Sequence, residues 1–167
     1  MKPILIAVAF LAAFTALVST ASMNVYGIPI FALCVGLAVF IQWAAFVPAY
    51  KTQTERYYDL MGSTSFILVT LLALVLADRY DGRSLLISTL VIVWALRLGS
   101  FLFGRVHQDG GDDRFESIKP NAKRFFLTWT LQGLWVSITA ATAFATISGT
   151  QAVALSAYDL NAVAIWI

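Results

Sequence analysis

Charge is scarce in this sequence. Only 12% of the 167 residues are charged, against about 25% in an average soluble domain, and no charged residue lies between Pro3 and Tyr50. Apolar residues make up 60% of the chain. This composition excludes an ordinary soluble globular protein and predicts an integral membrane protein. Its first 50 residues are long enough for two spans of about 20 residues each.

Cysteine, histidine and basic clusters are also rare. The single cysteine, Cys34, excludes an internal disulfide and lies in an apolar run, which indicates a packing role. His107 is the only histidine, and the nearby aspartates lack the ordered ligand pattern of a calcium loop, so no metal site is expected. A net charge of +2 without a basic block gives no reason to expect nucleic acid as a partner.

Long apolar runs are what the sequence has in abundance. They cover residues 4–20, 28–49, 60–77, 85–103 and 125–147, each close to the length that crosses a bilayer. The sequence therefore predicts a single all-α domain, a polytopic membrane helix bundle with five full transmembrane helices. Between the first two runs, "SMNVYGIP" contains the helix-breaking residues Gly27 and Pro29, which predict a tight connection.

Both ends of the chain leave alternatives open. Lys2, the apolar residues 4–18 and the small residues 19–21 also resemble a cleavable signal peptide. A sixth apolar segment starts at Leu160 and stops at Ile167, which is about 12 Å of helix in a hydrocarbon core about 30 Å thick. Either residues 160–167 lie at the interface, or the sequence is the front part of a longer protein. The second alternative is favoured.

The distribution of Lys and Arg predicts the orientation. With the N-terminus inside, eight basic residues lie on the cytoplasmic side and two lie outside, as the positive-inside rule requires. The eight are Lys2, Lys51, Arg56, Arg105, Arg114, Lys119, Lys123 and Arg124, and the two are Arg79 and Arg83. The polar segments 50–59 and 105–124 would then share the cytoplasmic face, in what we expect to be a bacterial inner membrane.

The first polar segment contains a candidate proton-donating pair. At helical spacing, Glu55, Tyr58, Asp59 and Gly62 fall on one face. A partly buried Glu can hold its proton near neutral pH, and a Tyr can polarise a carbonyl. The alternative is an interfacial loop in which Tyr57 and Tyr58 anchor at the headgroups and the charges stay solvated. The pattern alone favours the loop.

Arg97 interrupts the fourth apolar run about two turns before Arg105. Inserting an arginine at such a depth costs about 2.5 to 3.5 kcal/mol, so we expect it to face the bundle interior, a cavity or an anionic partner. The alternative is a snorkelling side chain, since two turns are only about 11 Å.

The second polar segment, residues 105–124, contains Gly110 and Gly111, which permit a close approach of the backbone to a phosphate. Neither a G-x-G-x-x-G after a strand nor a P-loop occurs, so a classical nucleotide-binding fold is excluded. Four polar side chains of the fifth run are predicted to form hydrogen bonds across the bundle. They are Thr128, Thr130, Gln132 and Ser137.

Three segments together carry a resemblance. They are "KTQTERYYDLMGSTSF", "WALRLGSFLFGRVHQDGGDDRFESI" and "RFFLTWTLQGLWVSI". In this order they resemble bacterial membrane proteins of the steroid 5-alpha-reductase C-terminal-like (3-oxo-5-alpha-steroid 4-dehydrogenase-like) family, of which this chain would be the N-terminal portion.

The resemblance implies an all-helical reductase of about seven spans. It would bind NADPH from the cytoplasm and reduce a carbon–carbon double bond conjugated to a carbonyl in a lipid-like substrate. In that picture Glu55 and Tyr58 orient or protonate the enone, and Arg97, Arg105 and Arg114 lie near the cofactor phosphates, where a guanidinium can form bidentate contacts.

One family feature is missing. The cofactor motif similar to S-R-H-P-N-Y-F-G-E belongs after the sixth helix, and nothing like it occurs in these residues. If the chain is complete, a non-catalytic subunit packed into a larger membrane complex is the alternative. A membrane methyltransferase of the isoprenylcysteine type, which would bind S-adenosylmethionine, is a further alternative.

Overall fold

The protein is a bundle of helices. The computed structural model describes residues 2–109, 111–151 and 154–159. Its helices are α1 Lys2–Ser19, α2 Ile30–Thr52, α3 Tyr58–Ala77, α4 Gly82–Asp109, α5 Ala122–Thr139 and α6 Ala141–Ser148. Two short strands, β1 Asn24–Val25 and β2 Ile28–Pro29, and a 3₁₀ helix, Asp113–Phe115, complete the described elements.

The helices agree with the prediction of an integral membrane protein. Each of α1 to α4 is long and apolar enough to cross a membrane, and α5 with α6 forms a fifth candidate that is bent by 54°. The described part of the chain thus has four or five candidate spans. The predicted sixth segment, from Leu160 to Ile167, lies outside the described residues.

The bend between α5 and α6 differs from the single straight span expected over residues 125–147. Neither proline nor glycine lies at the break, so packing rather than local sequence explains it. Phe144 and Ile147 of α6 are fully buried, and the ring of Phe144 contacts Phe31 of α2 edge-on. Beyond them, the carbonyl of Ser148 accepts a hydrogen bond from the N–H of Met23 at 2.7 Å. These contacts direct α6 back toward the start of α2.

The tight connection predicted between the first two helices is a β-hairpin. Asn24 pairs with Pro29 and Val25 with Ile28. The two residues of the turn, Tyr26 and Gly27, both have positive φ, 51° and 81°, which is the geometry of a type I′ hairpin turn. Ser22, just before the hairpin, accepts a hydrogen bond from the N–H of Phe31 at 3.1 Å, which supports the start of α2.

The main core lies between α2, α3 and α6. Phe31, Cys34 and Ala38 of α2 have no exposed surface and belong to one apolar cluster with Val69 and Ala73 of α3. The packing role predicted for Cys34 agrees with this position. Small residues at these points let the helices approach closely, as is usual inside membranes.

The fourth helix reaches further than its neighbour α3. Asp81 begins it by accepting hydrogen bonds from the N–H groups of Arg83 and Ser84, as an N-cap residue does. The helix has 28 residues and is about 42 Å long at 1.5 Å per residue. Its last turns therefore extend beyond the first turn of α3 and carry the loop 111–121 to the end of the bundle where the loop 53–57 lies. We call this end, formed by residues 53–59, 105–109 and 111–121, the polar end.

Candidate functional site

Glu55 holds the two polar segments together. Its side chain is buried, and its Oε1 atom accepts a hydrogen bond from the N–H of Asp112 at 3.1 Å. Its Oε2 atom forms a salt bridge with Nζ of Lys119 at 2.9 Å, and Lys119 also contacts Oε1 of Glu116 at 2.7 Å. A methyl group on Gly111 would lie 3.2 Å from Glu55 Oε1, so glycine allows the loop to lie this close.

The environment of Glu55 determines its protonation. Burial alone would raise the pKa of this carboxyl, but the hydrogen bonds from Lys119 and from the Asp112 backbone outweigh it and hold the pKa below its usual value. The carboxylate is therefore ionised at neutral pH. This contradicts the expectation that a partly buried Glu55 keeps a proton to donate. Its position favours a role in ordering the loop.

The helical spacing expected from Glu55 to Gly62 is also wrong at its start. Helix α3 begins at Tyr58, and residues 53–57 form turns. Glu55 precedes the helix and accepts the N–H of Tyr58 on its backbone carbonyl at 2.8 Å. Its side chain is consequently free to point at the loop 111–121 instead of lying along the face of α3.

Phe115 is a second anchor of the loop, and the sequence analysis missed it. The side chain is buried, and its ring packs edge-on against Tyr58 and Phe125, with centroids 5.0 and 6.2 Å away. Ile118, three residues later, packs against the same cluster. Two apolar residues at this spacing inside a polar loop were the signal that could have found the anchor.

Tyr58 lies at the junction of α3, α5 and the loop. Its hydroxyl donates a hydrogen bond to the carbonyl of Thr128 at 3.1 Å, and its ring also meets Trp129 edge-on. The side chain is half-buried. The phenol can therefore present its O–H to a carbonyl, since it already does so to one in the protein.

Two of the predicted arginines line one cavity at the polar end. The cavity has a volume of about 400 Å³, and Arg105, Arg114, Gly111 and Asp113 contribute to its wall. Arg114 is tied to Asp112, its Nε lying 2.9 and 3.0 Å from the two carboxylate oxygens. Arg105 is held more loosely.

Among the described residues, Arg105 has one contact with an acidic side chain, and this contact is long. Its Nη2 atom lies 4.0 Å from Oδ2 of Asp59, and its side chain is 43% exposed. This distance is too long for a direct hydrogen bond. Of the two cavity arginines, Arg105 thus keeps more of its hydrogen-bonding capacity for a ligand.

Arg97 is not part of this arrangement. It lies on an exposed side of α4 rather than toward the interior of the bundle, and it does not line the cavity of Arg105 and Arg114. Eight residues of helix separate it from Arg105, which is about 12 Å along the axis. The structure thus brings Glu55, Tyr58, Arg105 and Arg114 to the polar end and leaves Arg97 apart from them.

Beneath Asp59, three helices enclose a smaller cavity of about 140 Å³. Its wall includes Asp59 and Ser63 of α3, Leu98 of α4 and Gln132 of α5. The hydroxyl of Ser63 is buried and has no hydrogen-bond partner among the described residues. Ser63 could not be identified from the sequence, because a serine in an apolar run has no distinguishing pattern.

The hydrogen bonds across the bundle that were predicted for four residues of α5 are confirmed for two of them. Nε2 of Gln132 donates to the carbonyl of Tyr58 at 2.8 Å, and Oγ1 of Thr130 accepts from Nε1 of Trp43 at 3.2 Å. The hydroxyls of Thr128 and Ser137 instead donate to carbonyls one turn earlier in the same helix. The backbone carbonyl of Thr128 nevertheless accepts a hydrogen bond from the hydroxyl of Tyr58.

Acid is expected to weaken the polar end. The hydrogen bond from Arg114 holds the pKa of Asp112 below its ordinary 3.8, as the contacts of Glu55 hold its pKa below 4.5. Both carboxyl groups have a lower pKa in the folded protein than in the unfolded chain. The stability that they contribute is therefore complete when the pH is above their pKa in the unfolded chain, and it is lost as the pH falls through their pKa in the folded protein. The midpoint temperature of thermal unfolding in detergent, measured between pH 7 and 3, should fall once the pH is below about 4.5. Glu55→Gln should flatten this dependence, and an unchanged slope would contradict it.

Comparisons with known proteins identify one family. A family model described as "Protein of unknown function (DUF1295)" matches residues 45–167. The match starts in the second half of α2 and includes both segments of the polar end. No curated protein and no solved structure matches the chain significantly.

Proposed function

The chain belongs to the DUF1295 family, and on this premise we propose that it acts as a membrane-embedded, NADPH-dependent reductase. Its substrate would be an enone-type lipid or steroid-like molecule, as the resemblance to the steroid 5-alpha-reductase-like family implies. The polar end would face the cytoplasm and bind the cofactor phosphates. The observation that carries the proposal is the cavity that Arg105 and Arg114 line together, in the loop that Phe115 anchors against Tyr58.

Arg105 and Arg114 of the cavity suit a phosphate group, whereas the carboxylates of Asp112 and Asp113 in the same wall oppose one. A guanidinium suits bidentate contact with phosphate oxygens, and Gly111 adds a wall without a side chain. Asp112 already neutralises Arg114, so a phosphate would have to compete for that guanidinium. Arg105, at 4.0 Å from Asp59, is the freer partner. We therefore assign Arg105 the larger share of phosphate binding and leave Arg97 outside the site.

In this proposal the cofactor would supply a hydride, and the chain's own residues would position the substrate. Tyr58 would turn its hydroxyl from the carbonyl of Thr128 to the carbonyl of the enone and polarise it. Glu55 would act indirectly, because its contacts with Asp112 and Lys119 fix the loop that forms the cavity wall.

Nucleotide binding tests the proposal. The protein would be purified from its native membrane in detergent, and NADPH binding measured by equilibrium dialysis. We expect Arg105→Ala to raise the dissociation constant about 5- to 20-fold and Arg114→Ala less, since a hydrogen bond to a charged group is worth about 1.5 to 3 kcal/mol before solvent screening. Arg97→Ala should change it less than about twofold, because Arg97 lies outside the cavity.

The matched control is Arg56→Ala. Arg56 is exposed in the same polar end and carries the same charge, but it does not line the cavity. If Arg56→Ala and Arg105→Ala weaken binding equally, the effect is one of net charge and the assigned site is wrong. Binding of S-adenosylmethionine in place of NADPH would favour the methyltransferase, and binding of neither would favour a non-catalytic subunit.

A further inference from the structure

Arg97, which lies outside the proposed site, is a charge without a partner in the part of the chain that the structure describes. Its side chain is exposed, and it takes part in none of the salt bridges among those residues. It lies within the apolar run 85–103, about 9 Å of helix from the end of the run at Phe103. A charge at such a depth is costly unless it faces a cavity or an opposite charge.

The Arg97 side chain is on the side of α4 that faces away from the bundle. Ala95 is fully buried, and Gly99 lies against Ser63 of α3. Each is two residues from Arg97, which is a rotation of about 200° around the helix. Of the membrane-spanning window of α4, 17% is buried, against 44% for α2 and for α3. The outer side of α4 therefore has no neighbouring helix among the described residues.

The same side of α4 has the shape that a second helix needs. Ser100 and Gly104 follow Arg97 three and seven residues later, so the three residues share one face. The spacing Ser-x-x-x-Gly is the small-residue pattern that lets membrane helices approach closely. A methyl group on Gly104 would have no atom of the described chain within 4 Å. Since glycine weakens a helix interior relative to alanine, an approaching helix explains its presence better than packing within this bundle.

This sequence does not supply the opposite charge. None of its nine acidic residues lies within an apolar run, and residues 160–167 contain no acidic residue. A second copy packed through the same face would bring two Arg97 side chains together. The Cα–Cβ bonds of a helix tilt toward its N-terminus, which directs Arg97 toward the middle of the membrane rather than toward the nearer lipid headgroups at the polar end. These facts favour an acidic side chain on a different helix.

We infer that the face of α4 formed by Arg97, Ser100 and Gly104 is the docking surface for a transmembrane helix of another membrane protein, and that this helix carries one carboxylate at the depth of Arg97. The ion pair neutralises both charges away from water, and the small residues bring the two backbones close. The inference goes beyond the proposed reductase and does not depend on it, because neither nucleotide nor substrate takes part.

Model helices test the role of the charge. The purified protein would be reconstituted in phosphatidylcholine vesicles with dansyl-labelled, lysine-flanked leucine–alanine peptides that span the membrane. The peptides carry glutamate, glutamine or leucine at one position, at the depth of Arg97. Energy transfer from the tryptophans of the protein to dansyl measures association. We expect the glutamate peptide to bind about 10-fold more tightly than the leucine peptide, as a hydrogen bond between charged groups provides, and the glutamine peptide to lie between them.

Variants of Arg97 then decide the assignment. Arg97→Leu should abolish the preference for glutamate, and Arg97→Glu should create a preference for a peptide with lysine at the same position. Arg56→Leu removes an exposed charge at the polar end and should keep the preference for glutamate. Equal affinities of the glutamate and leucine peptides for the wild type, or a preference that survives in Arg97→Leu, would overturn the inference.

Gly104→Leu tests the close approach of the helices. Its longer side chain should weaken the association of every peptide, because it keeps the two backbones apart. Gly36→Leu is the matched control, since a methyl group on Gly36 also has no atom of the described chain within 4 Å, but Gly36 lines the groove between α1 and α2. It should leave all affinities unchanged. Equal losses in the two variants would contradict docking at this face of α4.

A lipid headgroup is the competing occupant. Replacing part of the phosphatidylcholine by phosphatidylglycerol should leave the preference for glutamate unchanged. If phosphatidylglycerol removes it, a lipid phosphate pairs with Arg97 and the inference is wrong. In native membranes, p-benzoylphenylalanine in place of Phe101, which is 67% exposed one turn from Arg97, should crosslink to a protein that has an acidic residue in a transmembrane segment. The crosslink should be lost in Arg97→Leu, and adducts with lipid alone or with a second copy would contradict the inference.

Discussion

Replacing Glu55 by alanine is expected to lower the free energy of unfolding by about 2 to 4 kcal/mol, because removing one partner of a buried ion pair leaves the other uncompensated. The Glu55 side chain is 5% exposed and that of Lys119 14%. The substitution also removes the acceptor of the Asp112 N–H. We place the loss below the largest values for such pairs since Lys119 keeps its contact with Glu116.

The loop 111–121 should be the first part of the molecule to respond. Limited trypsin digestion in detergent would show faster cleavage after Arg114 in Glu55→Ala, together with a lower midpoint of thermal unfolding. The matched control is Glu116→Ala, which removes the other partner of Lys119. Because the Glu116 side chain is 71% exposed, we expect a loss of at most about 1 kcal/mol. Equal effects of the two substitutions would show that Glu55 is not the anchor.

Gly99→Ala is expected to destabilise the bundle by about 1 to 3 kcal/mol through overpacking. A methyl group there would lie 2.8 Å from Cβ of Ser63. That atom is fixed to the backbone of α3, so relief requires the two helices to separate. The same movement would open the 140 Å³ cavity that contains Asp59 and Gln132. Thermal unfolding in detergent measures the cost.

Gly104→Ala provides the control on the same helix. No atom lies within 4 Å of the position that its methyl group would occupy. Since alanine favours a helix over glycine by about 1 kcal/mol, this change should leave stability unchanged or raise it slightly. If Gly99→Ala behaves like Gly104→Ala, close packing of α3 on α4 at Ser63 does not matter for stability.

The sequence predicted the site only in part, and particular residues show why. The family resemblance grouped Arg97 with Arg105 and Arg114. Arg105 and Arg114 line one cavity, yet Arg97 lies on an exposed side of α4 outside it. A helix turns 100° per residue, and the sequence does not say which neighbour covers which face. The prediction that Glu55 keeps a proton was wrong for a related reason. Its salt-bridge partner, Lys119, is 64 residues away in the chain, and the sequence does not show that the two meet.

The sequence by itself determined the helical composition and the approximate bounds of the first four helices that are long and apolar enough to cross a membrane. The length of an apolar run and the scarcity of charge within it are properties of contiguous residues. They favour insertion of a helix into a bilayer without any contact between distant parts of the chain. Only the tertiary structure decided the 54° bend after α5, the docking of Phe115 onto Tyr58 and the ionised state of Glu55. Each of these depends on contacts between residues far apart in the chain, whose energies no local pattern encodes.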